Sequence, residues 1–125
     1  MEKIVDNWIR QAEYDLGSAK YNLKGKKYDV AAYLCQQTVE KGLKGLYLKQ
    51  EKELWKTHDL VKLAALVKAP AEIVKICNDL NRIYVEDRYP DYSDVIPAKK
   101  FVKEDVEEFI KKAQEVLRWI KTQLK

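Results

Sequence analysis

Near its C-terminal end the chain sets Val102, Val106, Phe109, Ala113, Val116, Leu117, Ile120 and Leu124 mostly three and four positions apart, with polar residues between them. On a period of 3.6 residues these side chains share one face, so the segment is stable only as a long amphipathic helix whose apolar stripe is covered. The same period recurs upstream. Trp8, Ala12, Leu16, Ala19 and Leu23 define a helix from about Lys3 to Lys24, ended by Gly25. Ala31, Cys35, Val39, Gly42, Leu43 and Leu46 define a second, from Tyr28 to near Gln50, with Glu40 and Lys44 paired outside the stripe. Leu60, Leu63, Ala64 and Val67 suit a short helix capped by Thr57. Beyond Pro70, Ile73, Ile76, Cys77, Leu80 and Tyr84 face one side of a fourth. No strand alternation competes with these stripes. The expected fold is all-α, an up-and-down bundle of four long helices plus one short helix, with residues 1–125 forming a single domain.

Composition narrows the function classes. A hydrophobic content of 46% beside 35% charged residues belongs to a folded, hydrophilic-surfaced chain rather than a disordered one. The net charge of +4 is spread along the chain; it permits an anionic ligand but lacks the dense stripe of a dedicated nucleic-acid binder. Cys35 and Cys77 both fall on apolar stripes and are expected to pack as small hydrophobes. No window approaches the roughly 20 apolar residues of a membrane span, and Met1 to Asp6 carry no apolar leader, so a cytoplasmic location without membrane association is expected. His58 is the only histidine, and there is no CxxC, HExxH or glycine-rich phosphate loop. Zinc sites and histidine triads with spare ligands are therefore not expected, and no cofactor is called for.

Three places carry denser polar chemistry. Asn81 to Asp94 holds Arg82 and Arg88, whose planar guanidinium groups suit phosphate, and Tyr84, Tyr89 and Tyr92, which can stack on a base or donate through their hydroxyls. The plainer alternative has Tyr84 in the core, Arg82 solvated, and Arg88 paired with Asp87 or Asp91. His58 follows Thr57 at a helix start, where it serves either as a capping-region side chain or as an acid, base or phosphate contact. Gln36, Gln37, Glu40 and Lys41 form a second cluster, which a plain bundle could expose to water. Gly42 and Gly45 each cost roughly 1 kcal/mol inside a helix, so they point to a tight helix crossing or a subunit contact.

Together the segments Trp8-x3-Ala12-x2-Asp15-Leu16-x2-Ala19, Ala31 to Leu46 with its Gln36-Gln37-x-x-Glu40-Lys41, Lys56-Thr57-His58-Asp59-Leu60, and Arg88-Tyr89-Pro90-Asp91 resemble the HEPN domain family over nearly the whole chain. The resemblance implies a helical bundle that commonly forms a homodimer and binds nucleotides. It also implies a small prokaryotic member of the kind paired with a minimal nucleotidyltransferase in a toxin–antitoxin-like system. Other members are metal-independent ribonucleases, in which an arginine holds the phosphate and a histidine a few residues later moves protons. Here Arg82 is followed after five residues by Arg88, directly before Tyr89, where that histidine is expected. An arginine stays protonated near neutral pH and cannot shuttle protons. The expected phosphate-binding residues are Arg82, Arg88, Tyr89, Asp91, His58 and Lys41. The expected role is binding a nucleotide or RNA phosphate without catalysis, with His58 the one catalytic candidate if a ribonuclease activity persists. A pure protein-interaction scaffold is the third possibility.

Overall fold

A computed structural model describes residues 2–83 and 94–125; the expectations placed on Tyr84, Arg88, Tyr89, Asp91 and Tyr92 lie outside the described residues. The described residues form five α-helices and one short 3-10 turn, with no strand. The helices are α1 (Glu2–Lys24), α2 (Tyr28–Glu51), α3 (Leu60–Leu66), α4 (Ala71–Asn81) and α5 (Lys103–Leu124), and the 3-10 turn (Pro97–Lys99) precedes α5. No described helix is long and apolar enough to cross a membrane. The expected all-α bundle is what the chain forms.

α2 is the central element. It packs most extensively on α1, and then on α5 and α3. Facing pairs fix the directions. Glu2 meets Lys49, Trp8 meets Gly45 and Asp15 meets Lys41, so numbers rise on one helix as they fall on the other and the pair is antiparallel. Leu124 lines a pocket with Val5 and Ile9, Lys121 pairs with Glu13, and Gln114 lines a pocket with Leu16, so α5 runs antiparallel to α1 as well. Asp79 and Lys112, 3.0 Å apart, tie α4 to α5.

The stripes read from sequence are buried as expected, with two shifts. Ile9 rather than Trp8 fills the core position on α1, leaving Trp8 half-buried at the surface. Val102 stands 53% exposed just ahead of α5, and Phe101 takes its place in the core, edge-on to Phe109 at 5.8 Å. Cys35 and Cys77 are buried free thiols, and burial pushes both up to about 12. They stay protonated and inert at neutral pH.

Gly42 and Gly45 make close crossings within the chain. A Cβ on Gly42 would lie 2.8 Å from Ile120 Cδ1, and one on Gly45 would lie 3.0 Å from Trp8 Cβ. α1 ends directly before Gly25, as read. In the turn that follows, Lys26 takes the left-handed conformation, with φ 61°, while the amide of Lys27 closes onto the Asn22 carbonyl at 2.9 Å.

The cap of α3 differs from expectation. Asp59, not Thr57, is the N-cap: its Oδ1 accepts from the amides of Val61 (3.0 Å) and Lys62 (3.2 Å). Thr57 Oγ1 instead accepts from the Asp59 amide at 3.1 Å. Asn81 at the end of α4 selects the arrangement, donating to Asp59 Oδ1 at 3.0 Å and accepting from the Leu60 amide at 2.8 Å. Removing the Asp59 carboxylate thus strands two helix donors and one side-chain amide. Asp59→Ala is expected to cost about 1–2 kcal/mol in urea unfolding; a loss indistinguishable from zero would contradict this capping role.

Candidate functional site

Two members of the polar cluster read on α2 are buried, and Gln37 and Lys41 are half-buried. Gln36 and Glu40 are 0% and 4% exposed, one helical turn apart on the inward face. Gln37 Nε2 donates to Gln36 Oε1 at 2.8 Å, and Gln36 Nε2 donates to Glu40 Oε1 at 3.1 Å. One turn further on, Lys44 Nζ donates to Glu40 Oε2 at 2.9 Å. The expectation that Glu40 and Lys44 pair is met, but on a buried carboxylate rather than on a solvated face.

The remaining partner of Glu40 arrives from the connection between α2 and α3. His58 Nδ1 lies 3.1 Å from both carboxylate oxygens. Burial alone would raise the Glu40 pKa, yet hydrogen bonds from Lys44, Gln36 and His58 outweigh it and hold the group below its ordinary value of 4.5. Glu40 is therefore an acceptor only, which puts the proton of a neutral imidazole on Nδ1. His58 precedes the Asp59 cap, so it stands outside the first turn of α3 where the sequence placed it.

His58 lines a pocket of about 330 Å3 together with Trp8, Lys44, Leu54, Trp55, Lys56 and Thr57. Trp55 is braced by Tyr47, ring centroids 6.1 Å apart at 71°, and Lys62 Nζ stands 5.4 Å from the Trp55 ring. Among the described lining residues the charged ones are Lys44, whose ammonium is held by the buried Glu40 carboxylate, and the exposed Lys56, and none is acidic. Such a pocket offers cations, aromatic faces and one imidazole, the donor set for a phosphate with an aromatic group attached.

Arg82 is exposed and directly follows Asn81, whose amide is bonded to Asp59 and Leu60. The Asn81 bridge thus brings Arg82 and His58 to one end of the α3–α4 pair. Lys41 goes elsewhere: its ammonium is 2.6 Å from Asp15 Oδ2, and Gln11 donates to the other oxygen of that buried carboxylate at 2.9 Å. Arg88, Tyr89 and Asp91 lie outside the described residues. Among the described residues no group of three or more His, Cys, Asp or Glu side chains could hold a metal ion.

Sequence reasoning missed Trp8, Trp55, Lys44 and Lys56 as lining residues and Glu40 as the partner of His58. One signal was present: a tryptophan in a polar connecting segment, Leu54-Trp55-Lys56-Thr57-His58, beside the sole histidine.

Comparison with known proteins agrees with the bundle and extends it. A family model described as HEPN domain matches residues 5–123. The crystal structure of ST0689, an archaeal HEPN homologue, is similar at 37% identity, over 97% of this chain and 98% of that one, with a TM-score of 0.83. The crystal structure of TT1696 from Thermus thermophilus is similar at 27% identity, over 95% of this chain and 97% of that one, with a TM-score of 0.89. No curated protein matches the sequence.

Proposed function

The chain belongs to the HEPN domain family, and on that premise we propose that it binds a nucleotide or an RNA phosphate without catalysing its transfer. The observation that carries this reading is the pocket beside His58, where the exposed Lys56 supplies positive charge, Lys44 is held by Glu40 behind the wall, and no described carboxylate lines the wall itself. Arg82 at the same end adds a guanidinium group that suits phosphate. Arg88, Tyr89 and Asp91 are assigned to the same site from their place in the sequence. Lys41, tied to Asp15, is assigned a structural part instead. The absence of catalysis rests on Arg88 standing where the ribonucleases of the family keep a histidine.

The proposed setting is a homodimer acting with a nucleotidyltransferase partner in a toxin–antitoxin-like system, which follows from the resemblance to small members so paired. Co-purification with the product of an adjacent gene tests that setting. The binding itself is tested by calorimetric titration with ATP, GTP and short RNA. Arg82→Ala and Arg88→Ala are each expected to weaken binding roughly tenfold or more, the range for losing a charge-assisted hydrogen bond. No heat with any of the three ligands contradicts the reading.

A second reading is favoured by one observation, the hydrogen bonds that fix His58 Nδ1 on Glu40. A histidine so oriented is equipped to move a proton, and would make the chain a ribonuclease with a displaced histidine. Incubation with structured and unstructured RNA separates the two readings. The binding-only reading expects intact RNA, whereas cleavage that disappears in His58→Ala would establish the other.

A further inference from the structure

The pocket contains more aromatic surface than a phosphate needs. Trp8 and Trp55 are 47 positions apart in sequence, yet both line it, and both are half-buried. Each is held in place by a specific device. Gly45 lets the α1 backbone at Trp8 approach α2 until the Trp8 Cβ is 3.0 Å from where a Cβ on residue 45 would be. Tyr47, itself anchored by donating to Glu53 Oε1 at 3.0 Å, braces Trp55 edge-on.

We propose that this pocket is a base subsite: Trp8 and Trp55 take one unpaired nucleobase, and Lys56 holds the phosphate attached to it. This rests on the phosphate-binding reading and adds what that reading leaves open, the part of the ligand that is recognised. The volume of about 330 Å3 is at the small end of ligand pockets, which suits one nucleotide unit rather than an extended strand. Stacking on indole is tolerant of base identity, so the subsite distinguishes base-bearing from bare phosphate more than it distinguishes one base from another. A base inside a duplex is already stacked and paired and cannot enter. Free nucleotides and single-stranded RNA share the required chemistry; duplex RNA does not present it.

Tryptophan emission tests this directly, because Trp119 on α5 does not line the pocket and can be replaced by phenylalanine to leave only the two indoles in question. Trp119→Phe protein is titrated with ATP, a short single-stranded RNA, the same RNA as a duplex, and inorganic tripolyphosphate. Calorimetry is run on the same samples. The expected result is that ATP and single-stranded RNA quench emission while tripolyphosphate binds without quenching, and that the duplex quenches far less than its single strand. Trp55→Leu, which keeps apolar bulk against Tyr47, is expected to weaken ATP more than tripolyphosphate by roughly 5- to 150-fold. Should ATP bind calorimetrically with emission and the Trp55→Leu affinity unchanged, the subsite is overturned and phosphate binding stands. Should no ligand bind, both fall. Quenching by ATP alone names a free nucleotide as the source, and quenching by RNA alone names a single strand.

Discussion

Glu40→Ala is expected to destabilise the protein by about 3 kcal/mol, measured by urea unfolding at neutral pH. The carboxylate is 4% exposed and serves Gln36, Lys44 and both arms of the His58 contact. Deleting it leaves a fully buried amide without its acceptor and an ammonium group whose side chain is 12% exposed without its counter-charge. Removing one member of a buried ionic group costs more than the group contributes, because the abandoned partners remain desolvated. Glu40→Gln keeps the shape and loses the charge, so it should fall between the two. The pH dependence has a definite sign. A carboxylate held below its ordinary 4.5 in the folded state contributes stability that is fully present above 4.5 and is lost as pH falls through the lower folded value. Wild-type protein should therefore lose more stability than Glu40→Gln between about pH 5 and pH 3. Equal losses would mean that the carboxylate is not held ionised by these partners.

Gly45→Val should cost a similar amount, about 3 kcal/mol, by a different route. At Gly45 a Cβ would already be 3.0 Å from Trp8 Cβ and 3.1 Å from Ile9 Cδ1. Trp8 Cβ moves only with the backbone of α1, so the added methyl groups of valine must push the two helices apart along their longest contact. Gly45→Ala is milder, since the roughly 1 kcal/mol gained in helix propensity offsets part of the strain. Gly17 is the control: a Cβ there meets nothing within 4 Å, and Gly17→Ala should stabilise by up to about 1 kcal/mol. Thermal melts of the three variants check the order, and a Gly45→Val protein as stable as wild type would show that α1 is not seated on the glycine.

The helices are legible in the sequence because each has a single buried stripe, and burial of a stripe is a local, periodic property. Val106 to Ile120 fall inside as read, and Gly42 and Gly45, two of the three glycines within helices, mark close crossings, whereas Gly17 faces open space. The site is legible only as a set of residue types. Gln36 and Glu40 read equally well as solvated, since a polar pair one turn apart is buried only when a distant partner neutralises it. That partner, His58, comes 18 positions later on an irregular connection whose path no periodicity records. The cap of α3 differs from its sequence reading for a related reason: Thr57 and Asp59 are both good caps, and the choice is made by Asn81 from another helix. Trp8 reads as core because it shares a face with Ala12 and Leu16, while Ile9 beside it is the residue that joins the buried cluster.

The central claim is that the end of the molecule carrying His58 holds a phosphate-bearing ligand. Its most direct test is a nitrogen–proton correlation spectrum of labelled protein, followed during titration with ATP and with short single-stranded RNA. The indole resonances of Trp8 and Trp55 and the backbone amides of Lys56, Thr57 and His58 should shift together and saturate, while the Trp119 indole stays in place. Saturating shifts gathered on another face, or no shifts with either ligand, would contradict it.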